Sequence, residues 1–181
     1  MTPQEEQQLV ISAQTNVESF EKLYDLYFPK VFGFVMGKIQ SRSITEDLVS
    51  EMFIKILEAL PRYQFRGLPF GAWVFRIVRN HLKDYYGKAK RKNFDHLENA
   101  DWLEDGDKSR NPDEIARQNS LRTTLVNSFH VLNDQEEEVV RLKYFSELQN
   151  KEISDILGIS PNNVGVILFR ALKKLKSEHD Q

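Results

Sequence analysis

The chain has 181 residues, 40 % of them hydrophobic, and a formal net charge of −2, enough for one medium or two small domains with a buried core. It contains no cysteine, so a disulfide framework or a thiolate metal site is excluded. No run approaches the roughly 18 apolar residues of a membrane span, and the opening MTPQEEQQLVISAQ is too polar and acidic for a signal peptide.

Phe20, Leu23, Tyr24, Tyr27, Phe28, Val31, Phe32 and Val35 are spaced for an amphipathic helix, with Pro29 either kinking it or dividing it in two. Ser43-Ile44-Thr45-Glu46-Asp47 opens the next helix, with a hydroxyl cap and early acids that suit its dipole. Leu48, Met52, Phe53, Ile56, Leu57 and Leu60 form its apolar side. Pro61 to Pro69 holds two prolines and Gly67 and reads as a loop.

A helix from Phe70 follows, with a predicted buried stripe of Phe70, Trp73, Val74, Ile77, Val78, Leu82 and Tyr85. Its other positions carry Phe75, Arg76, Arg79, Asn80, Lys83 and Tyr86. A solvated face needs charge but no rings. A face that holds phosphates and stacks unpaired bases needs both. Lys88, Lys90, Arg91 and Lys92 extend it as a cationic end.

The near-neutral total hides strong segregation. Arg76 to Lys92 has seven Lys/Arg against one acid, Asn93 to Glu114 has eight acids against Lys108 and Arg110, and Val139 to Lys176 has seven Lys/Arg against three acids. The acidic stretch Asn93–Asn111 lacks a period and reads as a flexible linker, in which Trp102 stands out. Pro112–Phe129 is predicted helical with Leu121, Leu125 and Phe129 inward. Asn133-Asp134 caps a further helix, whose Glu136, Glu137 and Glu138 follow its dipole.

Asn150–Ala171, NKEISDILGISPNNVGVILFRA, fits a helix-turn-helix. Ser154 is the small residue, Gly158 the turn, and Ile153, Leu157, Ile159, Val164 and Ile167 the clamp. Ser160 caps the second helix and Pro161 occupies its first turn. That helix would present Ser160, Asn162, Asn163, Val166, Phe169 and Arg170 to a major groove, with Lys173, Lys174 and Lys176 on phosphate.

Catalytic patterns are absent. His81 and Asp84 are three apart, His96, His130 and His179 are scattered, and there is no phosphate loop or nucleophile elbow. No catalytic residue, metal or cofactor is expected, and the chain does not read as an enzyme.

In this order, the segments resemble the extracytoplasmic-function (ECF) sigma factors of bacterial RNA polymerase, the minimal members of the sigma-70 family. FEKLYDLYFPKVFGFV is similar to the first helix of sigma domain two, and ITEDLVSEMFIKILEAL to its polymerase-binding helix. Trp73-Val74-Phe75-Arg76-Ile77-Val78-Arg79-Asn80 resembles the helix that melts and reads the minus-ten element. The resemblance implies an all-α fold of two small helical domains. Residues 1–92 would form sigma region 2, 93–112 a flexible acidic linker, and 113–181 a region 4 that reads the minus-thirty-five element. It further implies single-strand contacts by Tyr63, Phe65, Arg66, Phe75, Arg76, Arg79, Asn80, Lys83 and Tyr86, and core-polymerase contacts by Asp47, Glu51 and Phe53. Gly165 and Ile167 stand where the family commonly has Lys and Arg. Implied partners are core RNA polymerase and promoter DNA in the cytoplasm, without membrane insertion, and an anti-sigma factor is an open further partner. The competing readings are a helix-turn-helix regulator acting without polymerase and a protein that sequesters another regulator.

Overall fold

Thr2 starts the first helix by a reciprocal cap: its hydroxyl accepts from the Glu5 amide at 3.2 Å and its own amide donates to the Glu5 carboxylate at 2.6 Å. The computed structural model describes residues 2–65, 68–91 and 128–179. Within them the protein is all helix, with no strand. Helix α1 spans Pro3–Ala13, α2 Val17–Ile39, α3 Arg42–Ala59 and α4 Phe70–Arg91; a 3-10 turn at Leu60–Arg62 leads out of α3. After a 3-10 turn at Ser128–Val131 come α5 (Asp134–Tyr144), α6 (Asn150–Leu157) and α7 (Pro161–His179). The predicted linker Asn93–Asn111 with Trp102, and the helix predicted from Pro112 up to the 3-10 turn, lie outside the described residues. Phe129, predicted inward, is buried.

Helix α2 begins at Asn16, whose side chain accepts from the Ser19 amide at 2.9 Å. It runs through Pro29 as one helix. The proline costs roughly 3 kcal/mol of helix stability, but Leu23, Tyr27, Val31, Phe34 and Val35 are buried on either side of it. Each such burial is worth about 1.5–3 kcal/mol, so packing outweighs the break. Helix α1 is pinned across α2 by the Tyr27 hydroxyl, which donates to Glu6. Burial, then the Glu6 charge, pushes the Tyr27 phenol far above its ordinary range.

Helix α3 starts at Ser41–Arg42, ahead of the expected Ser43 cap, and without a side-chain cap bond. Its inward residues are Leu48, Val49, Met52, Phe53 and Ile56. Leu57, predicted apolar-side, is exposed together with Ile54.

The second unit packs α5 and α6 on α7 around Val139, Leu142, Ile153, Val164 and Ala171. It also packs on the first: α6 lies against α4 and α5 against α2.

Candidate nucleic-acid interface

Helix α4 carries the predicted single-strand residues, and its packing sorts them. Arg76, Asn80 and Lys83 are exposed. They line a cleft of about 930 Å³ whose wall also includes Tyr63, Trp73 and Tyr86 of the first unit and Asp134, Glu138, Asp155 and Leu157 of the second. Tyr63 is half-buried, edge-on to Phe70 at 5.3 Å and tilted against Trp73 at 4.8 Å between ring centroids. Its carbonyl accepts from Gln14 Nε2 at 2.8 Å, which fixes the loop before α4 to the end of α1. Phe65 is exposed nearby. Arg66 lies outside the described residues.

Three expectations on this helix and α3 need correction. Phe75 is 0 % exposed. It faces α2, where its ring meets Phe34 edge-on at 5.6 Å, so it is core and cannot stack a base. Phe53 is likewise buried, at 6 % exposure, between Tyr24 (4.6 Å) and Phe28 (6.1 Å). Its neighbours Ile54 and Leu57 are the large apolar side chains that α3 leaves exposed. Arg79 is not open: its Nε donates to Glu138 Oε1 at 2.8 Å, Nη2 to Glu138 Oε2 at 3.4 Å, and Nη1 to the Ile156 carbonyl at 3.3 Å. Tyr86 is half-buried and its hydroxyl donates to the Lys38 carbonyl at 3.3 Å. Burial pushes its phenol up to about 12.

Asp47 and Glu51 are both exposed on α3. Glu51 reaches towards α4, its Oε2 lying 2.9 Å from His81 Nε2. The other ring nitrogen, Nδ1, sits 2.7 Å from Lys55 Nζ. Burial, then the Lys55 charge, lowers the imidazole below its ordinary pKa, with Glu51 pulling the other way. His81 is thus a buried strut between α3 and α4, a role sequence spacing to Asp84 did not indicate.

The helix-turn-helix is built as its residues require. Gly158 takes φ 68°, the left-handed turn that frees its amide to close on the Ser154 carbonyl at 2.9 Å. Ser154, Ile153, Val164 and Ile167 are buried, and Leu157 and Ile159 half-buried, between the helices. Ser160 Oγ accepts from the Asn163 amide at 3.2 Å. Asn162, Asn163, Val166, Phe169, Arg170, Lys173 and Lys174 are all exposed on α7, Phe169 at 71 %. At about 100° per residue, Asn162, Val166, Phe169 and Lys173 share one face. Lys174 donates to the buried Glu136 at 2.7 Å, and that bond leads the effects that hold the Glu136 carboxyl below its ordinary range.

Helical context and surface chemistry define a two-part nucleic-acid-binding protein with a helix-turn-helix at its carboxy-terminal side. Residues 23–92 match the family model of sigma-70 region 2, and residues 125–175 that of sigma-70 region 4. The ECF RNA polymerase sigma factor ShbA of Streptomyces griseus is 32 % identical over 142 residues, 78 % of this chain and 74 % of ShbA. SigM of Bacillus subtilis is 26 % identical over 90 % of this chain and 96 % of its own. BldN of Streptomyces coelicolor is 26 % identical over 93 % of this chain, which spans 63 % of BldN's length. The solved structure of CnrH in complex with the cytosolic domain of CnrY shares the fold, with a TM-score of 0.67 and 22 % identity over 97 % of both chains. The chain belongs to the ECF sigma factors of the sigma-70 family. It is an initiation factor that directs core RNA polymerase to promoter DNA, not an enzyme, and the family match sets aside a regulator working without polymerase. No helix among the described residues is long and apolar enough to cross a membrane.

Proposed function

We propose that the two exposed surfaces divide promoter recognition between them. The α4 face, with Tyr63, Phe65, Arg76, Asn80 and Lys83, holds the unpaired strand of the minus-ten element. A protein without ATP opens a duplex only by trapping a strand that has come apart, which takes rings, cations and a group for a base edge. The observation that carries this is the cleft in which Tyr63, Arg76, Asn80 and Lys83 stand together. Helix α7 reads the minus-thirty-five duplex through Asn162, Asn163, Val166, Phe169 and Arg170. Helix α3 docks on core polymerase through Asp47 and Glu51 beside the exposed Ile54 and Leu57. Residues 1–92 and 113–181 are the working units and 93–112 joins them. The chain acts in the cytoplasm, where the polymerase is. CnrH is known in complex with the cytosolic domain of CnrY, and capture by a comparable protein partner suits this chain also.

Transcription from a cognate promoter with purified core polymerase is the test. Asn80→Ala should slow or weaken open-complex formation by the roughly 1–3 kcal/mol of a lost base contact, and leave duplex binding by α7 unchanged. Open complexes formed as well as by the native chain would remove α4 from the reading.

A further inference from the structure

Glu51 and Lys55 stand four residues apart on α3, a spacing at which an acid and a cation on a helix ordinarily pair with each other. Arg42 and Glu46 on the same helix do so, at 2.8 Å. Glu51 and Lys55 instead each meet the His81 ring, which reaches them from α4. Lys55 Nζ is 2.7 Å from Nδ1, and Glu51 Oε2 is 2.9 Å from Nε2. His81 is 8 % exposed, whereas the Glu51 side chain is 62 % exposed. The ring is sealed between the two helices, and each of its nitrogens faces one charged group of the surface. Asp84, three residues further along α4, is the remaining charge that acts on it.

An ammonium donates and cannot accept, so Nδ1 meets Lys55 with its lone pair and the ring proton sits on Nε2. A buried N–H calls for an acceptor. Among the described residues the acceptor beside it is Glu51 Oε2, which lies off the line of the N–H and holds it by charge rather than by a formed hydrogen bond. The contact engages one carboxylate oxygen and leaves Oε1 for a second partner. Asp47, one turn earlier and also exposed, has no such anchor among the described residues.

A long exposed carboxylate loses rotamer freedom when it docks, and that loss counts against affinity. A carboxylate already tied to a neighbouring helix loses less. We propose that His81 is a positioning residue for polymerase docking: Lys55 fixes the ring proton on Nε2, and the buried N–H holds Glu51 where it meets a cation of the polymerase. The proposal rests on the reading that Glu51 docks on core polymerase. It gives the docking face of α3 a support from α4, at the position next to Asn80.

Titrating the fluorescently labelled full chain with purified core RNA polymerase separates positioning from mere packing. His81→Asn should weaken binding about two- to tenfold, the range that ordering one flexible side chain spans. Its amide can take the place of Nδ1 facing Lys55 but stops short of Glu51. His81→Gln, whose amide reaches the place of Nε2, should keep most of the native affinity. In a Glu51→Ala background His81→Asn should cost nothing further, whereas with Asp47→Ala the two losses should multiply. Far-UV circular dichroism and thermal melts set a temperature at which every variant is folded. Glu51→Asp, a surface change that spares the fold, keeps the charge but shortens the reach to His81 and should also lose affinity. Equal binding by the Asn and Gln variants, a His81→Asn loss undiminished by Glu51→Ala, or native affinity in Glu51→Asp would each overturn the positioning role while leaving Glu51 as a docking residue. Native affinity in Glu51→Ala would overturn the docking reading of Glu51 and the positioning role with it.

Discussion

Helices α4 and α7 carry nearly the same inventory of phenylalanine, asparagine, arginine and lysine, and the fold uses it in opposite ways. On α4 the ring of Phe75 is core and Arg79 is spent on Glu138. On α7 Phe169 and Arg170 stand in solvent. The difference is the number of neighbours. Helix α7 turns one side to α5 and α6, whereas α4 is packed by α2 and α3 and again by α6. A residue list with the right chemistry therefore identifies a nucleic-acid helix, but only the packing tells which of its groups are free to act.

The sharpest way to break this contrast is to make the same change in both helices. Phe75→Ala removes a fully buried ring and should destabilise the first unit by about 3–5 kcal/mol. Phe169→Ala should alter thermal unfolding by no more than about 0.5 kcal/mol, yet weaken binding of a promoter duplex. An exposed phenyl beside Asn162 and Val166 suits thymine methyls, so uracil in place of thymine at the minus-thirty-five element should cost the native chain affinity and cost Phe169→Ala none. Equal melting of the two variants, or indifference of the native chain to uracil, would remove the distinction.

The amino-acid order made the local determinants legible and the long-range ones much less so. The helix-turn-helix was readable in full because its determinants are local: Ser154, Gly158, the Ser160 cap and the clamp residues lie within one short stretch, and turn chemistry leaves little choice. The stripe of α4 was readable for Phe70, Val74, Val78 and Leu82, which are buried. Phe75 was misplaced because a single-stripe helix was assumed, and a helix packed on two sides has no single stripe. Phe53 and Leu57 were both read on the apolar side of α3, and only Phe53 lies there: the aromatic cluster of Tyr24 and Phe28 draws it inward and leaves Leu57 outside. Glu137 and Glu138 were accounted for by the helix dipole, and their partners Lys38 in α2 and Arg79, 59 residues before Glu138, are linked to them by no local rule. The spacing Gly33–Gly37, two positions of α2 at which a Cβ would meet Phe145, was the one available signal of that contact.

Two lysines on α7 sharpen the contrast at smaller scale. Lys173→Ala and Lys174→Ala should each flatten the salt dependence of duplex binding by about one unit of slope. Only Lys174→Ala should also lower stability, by about 1 kcal/mol, because it strips the bond from the buried Glu136. Parallel salt titrations and thermal melts separate the two. Identical melts would mean that Lys174 is as free as Lys173.

The smallest effect concerns the strut on α4. His81 is held below the ordinary imidazole value of 6.5 by burial and then by Lys55. The unfolded chain therefore takes up this proton first. The contribution of His81 to stability is complete above pH 6.5 and is lost as the pH falls through the lower folded value. His81→Gln should flatten the dependence of the melting temperature on pH across that window. A slope equal to that of the native chain would assign the dependence to other groups.

Gly33 carries a consequence for anyone improving this protein in the laboratory. Alanine in place of glycine within a helix is a standard stabilising exchange, worth about 1 kcal/mol, but at Gly33 the new Cβ would overlap the backbone carbonyl of Phe145, so a screen for heat resistance should reject it. At this position the added methyl group would cost the contact of α2 with the Phe145 corner between α5 and α6. A library designed on helix propensity alone would include the exchange and lose the packing of one unit on the other through a single methyl group.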